Sequence, residues 1–162
     1  MFIKKECLDL DHSSFIFKRE LTDTTGVEDY VKVSGGPRGN GGGGCWSMLG
    51  RRGGVQHLNL NERNEHCGRT CIIKEVVAHE FLHAFGLGHV HSRPDRDDYI
   101  EVEFDNIAAK SQFRKMDDAL TFGVPYDGRS IMHYAWKDFA IDELRPTMLS
   151  KVISILVNRC SS

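Results

Sequence analysis

The stretch HEFLHAFGLGH, residues 79–89, decides which fold and which chemistry this chain can have. Side chains four residues apart lie on one face of a helix, so His79 and His83 point two imidazole rings at the same place. Gly86 can take the left-handed backbone conformation that ends a helix, which lets the chain turn back and bring His89 towards the other two. The spacing therefore predicts three histidine ligands gathered at the carboxyl end of one helix.

These residue types predict a catalytic zinc site. Three neutral histidines bound to Zn²⁺ leave one coordination position for water, whereas structural zinc sites are usually closed by four protein ligands. Glu80 follows the first histidine and can reach such a water, so we expect it to act as general base and then pass the proton to a leaving amine. The expected ligands of one catalytic Zn²⁺ are His79, His83 and His89. The alternative is a histidine-rich helix end at the surface with no metal function.

Two later segments carry a family resemblance. The chain reads HVHSRPDRDDY at 89–99 and SIMHY at 130–134. Both resemble the astacin family of metzincin zinc endopeptidases, in which the second segment is the Met-turn. The matching positions are Arg93, Asp95, Arg96, Asp97, Tyr99, Ser130, Ile131, Met132, His133 and Tyr134, together with 44–47, 50–51, 105–107 and 123–127. The resemblance is strongest from about 45 to 135.

The resemblance implies an α+β fold of the metzincin, or zincin-like, type. Such a catalytic domain has two lobes, with a twisted mixed sheet and the active-site helix above a zinc cleft and a C-terminal helix below it. We expect residues 1–162 to form a single domain that is short at its N-terminus, with an upper lobe of about 1–89 and a lower lobe of about 90–162. In the family the C-W-S segment, here 45–47, is a sheet edge on which an extended substrate adds as an antiparallel strand.

The resemblance also implies roles for two residues of the SIMHY segment. Met132 is expected to form an apolar floor beneath the three histidines. Tyr134 matches the tyrosine that ligates zinc at rest and swings away to stabilise the oxyanion. Because the three-histidine site is already complete, no role is expected for the remaining histidines, His12, His57, His66, His91 and His133.

Composition excludes several classes of partner. Lys plus Arg number 21 and Asp plus Glu 23, a formal charge of −2, so we expect neither a nucleic-acid nor a membrane partner. The sequence contains no run of 18 or more apolar residues, and so no transmembrane helix is expected. The N-terminal MFIKKECLDL lacks the apolar region of a signal peptide. The glycine-rich stretch 35–44 lacks the G-K-[ST] of a phosphate-binding loop and is interpreted as a plain loop.

The five cysteines favour disulfides and an oxidising compartment, so we expect a secreted, extracellular protein. The family resemblance implies one bridge between Cys7 and Cys160 and a second from Cys45 to a cysteine before the active-site helix. We favour Cys71 for the second bridge, with Cys67 free, and the reverse assignment remains open. A structural zinc site using these last two cysteines and a nearby histidine is a further alternative.

Apolar patterning predicts the regular elements. Strands are expected at 15–17, 30–33, 46–49 and 55–60, with Leu58 and Leu60 on one face. The active-site helix is predicted over 71–85. The side chains expected to pack it on the sheet are Ile72, Val76, Phe81 and Phe85.

Two features are predicted for the second half of the chain. The charge run at 93–98 is interpreted as a salt-bridged structural turn without a catalytic role. An apolar stripe at helical spacing predicts a C-terminal helix, and its members are Leu149, Val152, Ile153 and Leu156.

The chain departs from the family pattern at three places. Val90 stands where the family has a glutamate that pairs with the freed amino terminus of the mature chain. The sequence given begins six residues before Cys7, so the family's first strand and most of its first helix are not in it. The two departures are consistent with each other. Without the amino terminus, a buried glutamate would have no partner and would be destabilising, whereas a buried valine would not. In addition, the segment 146–148 leads almost directly into the predicted last helix.

The sequence as a whole predicts a zinc-dependent endopeptidase that hydrolyses protein or peptide substrates, with Glu80 as general base. The alternative is a non-catalytic zinc-binding interaction domain, or an incomplete fragment of an astacin-like peptidase. The complete set of ligands, base, Met132 and Tyr134 favours the enzyme. Neither the oligomeric state nor the preferred cleavage site is indicated.

Overall fold

The computed structural model describes residues 3–4, 28–35, 44–61 and 70–151. Within these ranges the regular elements are α1 (Lys74–Ala84) and the strands β1 (Ile3–Lys4), β2 (Tyr30–Ser34), β3 (Cys45–Ser47), β4 (Val55–Leu60), β5 (Ile100–Val102), β6 (Ala119–Leu120) and β7 (Met148–Ser150). Short 3₁₀ helices cover Val90–Ser92, Arg96–Asp98, Phe104–Asn106 and Lys110–Phe113. The chain divides into two compact units, one of residues Glu6–Leu87 and one of Met1–Lys5 with Gly88–Ser162.

The first unit, Glu6–Leu87, contains a mixed three-stranded sheet in the order β2-β4-β3. β2 runs parallel to β4, with Tyr30 opposite Val55, and β3 runs antiparallel to it, with Trp46 opposite Asn59. Within the described residues β3 is therefore an edge strand, as the C-W-S motif predicts. A mixed sheet with a helix confirms the α+β class. That residues 1–162 form one domain stays a prediction.

The core of the first unit lies between α1 and β4. Alternation along β4 buries Leu58 and Leu60 on one face, so the predicted strand and its buried face are confirmed. These residues cluster with Cys71 and Ala84, and the apolar side chains of α1 that pack against the cluster include Val76 and Phe81. The helix thus sits on the sheet through its apolar side.

The predicted helix is too long at its beginning. α1 starts at Lys74, after Ile73 in an extended conformation, instead of at residue 71. Ile72, predicted to pack on the sheet, is 53% exposed because it precedes the first helical turn, and that prediction is wrong. Phe85, just past the helix, is half-buried with its ring centroid 6.5 Å from that of Phe81.

A disulfide joins Cys45 in β3 to Cys71 just before α1, with their Cα atoms 5.6 Å apart. This confirms the favoured pairing of the two alternatives. The bond ties the edge strand to the segment that starts the helix. Several predicted features lie outside the described residues, namely Cys7, Cys67, Cys160, His12, His66, the strand at 15–17 and most of the loop at 35–44.

Among its described residues, the second unit, Met1–Lys5 with Gly88–Ser162, has little regular structure. β1 pairs antiparallel with β6, and β5 with β7. Its apolar cluster consists of Ile100, Ile107, Phe113 and Met148. Leu149 was predicted to belong to a C-terminal helix but lies exposed in β7, where its neighbour Met148 takes the buried side of the strand. The other members of that predicted stripe, at 152–156, lie outside the described residues.

Buried charged side chains hold the loops of the second unit. The guanidinium of Arg93, almost fully buried, donates to both carboxylate oxygens of Asp95 and to the carbonyls of Val124 and Pro125. The distances to Asp95 are 2.8 Å from Nε and 2.7 Å from Nη2. This bidentate pair lowers the pKa of Asp95, chiefly through the hydrogen bonds from Arg93.

Arg96 and Asn106 act in the same way. Arg96 donates to Asp97 and to the carbonyls of His91 and Phe113, so the charge run is the salt-bridged turn that the sequence predicts. The buried side-chain amide of Asn106 donates to three carbonyls and accepts the N–H of Asp142. Its three acceptors are the carbonyl oxygens of Asp142, Arg145 and Pro146.

Within the described residues, no helix is both long enough and apolar enough to span a membrane.

Candidate metal centre

Helix α1 carries the first two histidines and the glutamate. His79 and His83, four residues apart, have ring centroids 4.6 Å apart in an edge-to-face arrangement. Glu80, next to His79, is a buried residue of the helix. The helical period thus places both rings on one side, as the spacing predicts.

Two residues after the end of α1, Gly86 has a φ of 91°. The Gly86 N–H donates to the carbonyl of His83 (2.8 Å), and the Leu87 N–H donates to the carbonyl of Leu82 (2.9 Å). This pair of bonds is a Schellman motif, which requires the left-handed conformation that glycine adopts without a steric penalty. The chain therefore turns where the sequence motif predicts, three residues before His89.

The tautomer of His83 is fixed by the same turn. Nδ1 of His83 lies 2.8 Å from the carbonyl oxygen of Leu87, which can only accept, so Nδ1 carries the proton. Nε2 then carries a lone pair, as a metal-binding imidazole requires. Burial lowers the pKa of His83 to about 4, against the opposing effect of the Leu87 hydrogen bond, so the ring is neutral at neutral pH.

The metal-binding atoms of His79, His83 and His89 lie within 4.8 Å of one another. Two nitrogens bound to one tetrahedral Zn²⁺ at about 2.0–2.1 Å would be roughly 3.4 Å apart, so modest side-chain movements would complete the site. Three imidazoles are also the donor set of many catalytic zinc sites. The geometry and the donor types both fit Zn²⁺.

Glu80, on the same helix, has a buried carboxyl oxygen, Oε2, without a hydrogen-bond partner among the described residues. The residue is 5% exposed. Burial raises the pKa of its carboxyl to about 7. A buried carboxylate without a partner is costly unless a cation or a proton compensates it, so its position next to His79 also fits a bound cation.

On the other side of the motif, the SIMHY segment lies against His89. The Tyr134 ring centroid is 4.5 Å from that of His89. The Met132 side chain is buried, and its carbonyl accepts the N–H of Val90 at 2.8 Å. Val90 itself is buried, so the apolar residue at the position of the family's glutamate occupies a site where an unpaired carboxylate would be destabilising.

Two histidines without a predicted role have well-defined contacts. His133 accepts the hydroxyl of Tyr126 at Nε2 (2.7 Å) and lies 2.6 Å from the carbonyl of Tyr134 at Nδ1. His91 is fully buried and stacks on Tyr134 with ring centroids 4.0 Å apart. The one sequence signal for His91 is its place two residues after His89, and no sequence signal points to its partner Gln112.

Comparison with known proteins gives a consistent family. The model of the astacin family of peptidases matches residues 16–158. The zinc metalloproteinase nas-6 of Caenorhabditis elegans is 45% identical over 113 residues, covering 67% of this chain and 29% of that protein. The zinc metalloproteinase nas-36 of Brugia malayi is 40% identical over 161 residues, covering 90% of this chain and 26% of that protein.

A solved structure agrees. High choriolytic enzyme 1, a hatching-enzyme zinc protease of the medaka Oryzias latipes, matches with a TM-score of 0.66 and 33% identity, over 76% of this chain and 56% of that one. The chain thus spans less than a third of the length of these two metalloproteinases and just over half of the solved chain.

Proposed function

Because the chain belongs to the astacin family of peptidases, we propose that it is a zinc-dependent endopeptidase acting on protein or peptide substrates. The observation that carries the proposal is the cluster of three histidines together with the buried, unsatisfied Oε2 atom of Glu80, which lies on the helix of His79 and His83. A purely structural zinc site would not need that carboxylate.

One Zn²⁺ would be held by one ring nitrogen each of His79, His83 and His89. Bound there, it would lower the pKa of a water ligand to about 7 and polarise the carbonyl group under attack. The protein contributes the fixed orientation of these ligands, for which the hydrogen bond from His83 to Leu87 is an example.

Glu80 takes the proton of the attacking water and returns it to the departing amine. In the first step the water oxygen bonds to the carbonyl carbon, and in the second the carbon–nitrogen bond breaks as the amine nitrogen receives the proton. Burial raises the pKa of the Glu80 carboxyl and so strengthens its carboxylate as a base.

Tyr134 stabilises the negative charge that develops on the carbonyl oxygen, by donating its hydroxyl proton in a hydrogen bond. Its ring lies 4.5 Å from that of His89, which supports this role. Met132, buried and hydrogen-bonded through its carbonyl to Val90, supports the same segment with apolar packing.

The edge strand β3 is the proposed docking strand for an extended substrate. Its disulfide to Cys71 fixes it to the segment that begins α1. We also propose an extracellular location, which the disulfide and the family support.

The deciding experiment is cleavage of an unfolded protein substrate by the oxidised, zinc-loaded chain, its Glu80→Ala variant and a Glu75→Ala control. Glu75 lies exposed on the same helix, so its removal tests loss of charge alone. Glu80→Ala should lower kcat about 10²–10⁴-fold while one zinc stays bound, and Glu75→Ala should change little.

Retained activity in Glu80→Ala would remove Glu80 from the role of base. If no form cleaves, yet each folds and binds one zinc, the chain is the alternative, a non-catalytic zinc-binding domain.

A further inference from the structure

His91 is a buried polar side chain that the proposed chemistry does not use. Its ring stacks on that of Tyr134, with centroids 4.0 Å apart and planes at 28°, and lies 5.3 Å from the ring of His89. The ring is also 5.3 Å from that of Phe113. His91 therefore contacts both a proposed zinc ligand and the proposed oxyanion donor.

Both nitrogens of His91 have backbone partners. Nε2 lies 3.1 Å from the carbonyl oxygen of Gln112, and Nδ1 lies 3.5 Å from the amide nitrogen of Tyr134. A carbonyl can only accept and an amide N–H can only donate, so the ring is neutral with its proton on Nε2. Turning the ring over would break both contacts, so its orientation is fixed.

Gln112 completes a closed set of contacts. Its side-chain Oε1 accepts the hydroxyl of Tyr134 at 3.4 Å, while its carbonyl accepts from His91. His91 and Gln112 thus contact Tyr134 at three points: His91 at its ring and its amide, and Gln112 at its hydroxyl. The three residues come from separate segments of one unit, so the set is built by the fold and not by local sequence.

We propose that His91 and Gln112 are positioning residues for Tyr134, His91 fixing its ring beside His89 and Gln112 fixing the direction of its hydroxyl. The inference rests on the proposed peptidase function, in which that hydroxyl serves the oxyanion. In this position the hydroxyl is aimed before charge develops on the carbonyl oxygen.

The lengths of the contacts suit these two roles. The stack on a fully buried ring is firm, whereas the 3.4 Å bond to an exposed glutamine is long and weak. The hydroxyl can therefore leave Gln112 for a substrate oxygen at little cost.

The test uses Gln112→Leu, Gln112→Glu and a Ser111→Ala control. Gln112 is exposed, so replacing its side chain spares the core and keeps the backbone carbonyl that His91 needs. Ser111 is its exposed neighbour in the same 3₁₀ helix. The Tyr134 resonance is followed in ¹³C-tyrosine-labelled full chain, with zinc and after its removal, and is identified by its loss in Tyr134→Phe. kcat and KM are measured for the same variants and for Gln112→Leu combined with Tyr134→Phe.

Gln112→Leu should shift the Tyr134 resonance and lower kcat about threefold to tenfold at unchanged KM. Gln112→Glu keeps an oxygen acceptor and should restore both values, and Ser111→Ala should change neither. In the Tyr134→Phe background Gln112→Leu should have no further effect, because the hydroxyl it serves is gone.

The His91 part of the inference is tested with His91→Phe, which keeps a ring but loses both nitrogens, against His91→Gln, which keeps a donor and an acceptor. The phenylalanine variant should move the Tyr134 resonance further than any Gln112 variant. Should these buried variants not fold, the Gln112 series decides the inference.

An unchanged Tyr134 resonance in Gln112→Leu, with and without zinc, would overturn the inference, as would an unchanged or raised kcat. An equal loss of kcat in the Tyr134→Phe background would also overturn it, since the effect would then be general. A parent chain that cleaves nothing but shows the resonance shift would overturn the peptidase proposal and support the contact itself.

Discussion

His79 and His83 are presented by a regular helix, whereas His89 and Tyr134 are presented by 3₁₀ turns and loops. In the helix each backbone carbonyl has its partner four residues along the chain. In the loops many carbonyls have no such local partner and still have to be satisfied when buried. The three candidate metal ligands thus lie in two kinds of structure.

The two regions are stabilised by different side chains. α1 packs through an apolar cluster that includes Leu58 and Leu60. The loops after residue 88 are held by the buried polar groups of Arg93, Arg96 and Asn106, which donate to carbonyls 17 or more residues away in the sequence. The comparison shows that side-chain donors hold the irregular backbone around the site. They form the hydrogen bonds to backbone carbonyls that a helix or a sheet would otherwise provide.

The largest effect on stability is expected at Arg93, whose buried guanidinium holds loop carbonyls in place. Arg93→Met should lower the free energy of unfolding by about 4 kcal/mol, because two carbonyls and Asp95 lose their donor. Urea-induced unfolding of the oxidised chain measures it. Arg129→Met, an exposed arginine of the same unit, should change stability by less than about 0.5 kcal/mol. Equal losses of stability for the two variants would show that the buried Arg93 does not hold the loops, and the proposed difference between the two regions would fail.

In the helical region the corresponding prediction concerns the loss of apolar packing. Leu58→Ala should lower the free energy of unfolding by about 3 kcal/mol, because a fully buried side chain is replaced by a cavity under α1. Val55→Ala, on the same strand but 47% exposed, is the matched control and should cost well under about 1 kcal/mol. The same unfolding measurement applies, and a loss for Leu58→Ala no larger than its control would show that this cluster does not hold the helix.

The smallest effect is expected at the turn where the helical region of the chain ends. Gly86→Ala should cost about 1–2 kcal/mol, because an L side chain is strained at a φ of 91°. It should also weaken zinc binding, measured by competition with a chelator, since His89 follows this turn. Gly128→Ala is the control, because a Cβ atom there meets nothing within 4 Å. If Gly86→Ala changed neither stability nor zinc affinity, the turn would tolerate residues other than glycine.

Much of the helical region could be predicted from sequence, because its sequence signals are local. The bounds of β4 follow from alternation, and the side of α1 that carries the two histidines follows from the helical period. The start of α1 was missed by three residues, and Ile72 with it, because no capping side chain marks the beginning of the helix. The pairing of Cys45 with Cys71 came from the family resemblance, and the structure confirms it.

In the loops after residue 88, the sequence predicted the salt-bridged turn but not the distant contacts that its side chains make. The run from Arg93 to Asp97 was correctly interpreted as a salt-bridged turn. Its carbonyl partners at Val124 and Pro125, more than thirty residues away, have no signature in the sequence. Leu149 was misassigned because its helical spacing with later residues competes with pairing to β5, which is a non-local interaction.

The sequence by itself determined the donor types of the candidate centre: three histidines and a carboxylate, set by spacing along one helix and one glycine turn. Only the tertiary structure decided how Tyr134 is held, through His91 from one segment and Gln112 from another. The physical reason is the range of the interactions. Helical hydrogen bonds join residues four apart and are written in the local pattern, whereas buried loop groups take whichever donor the closed chain brings to them.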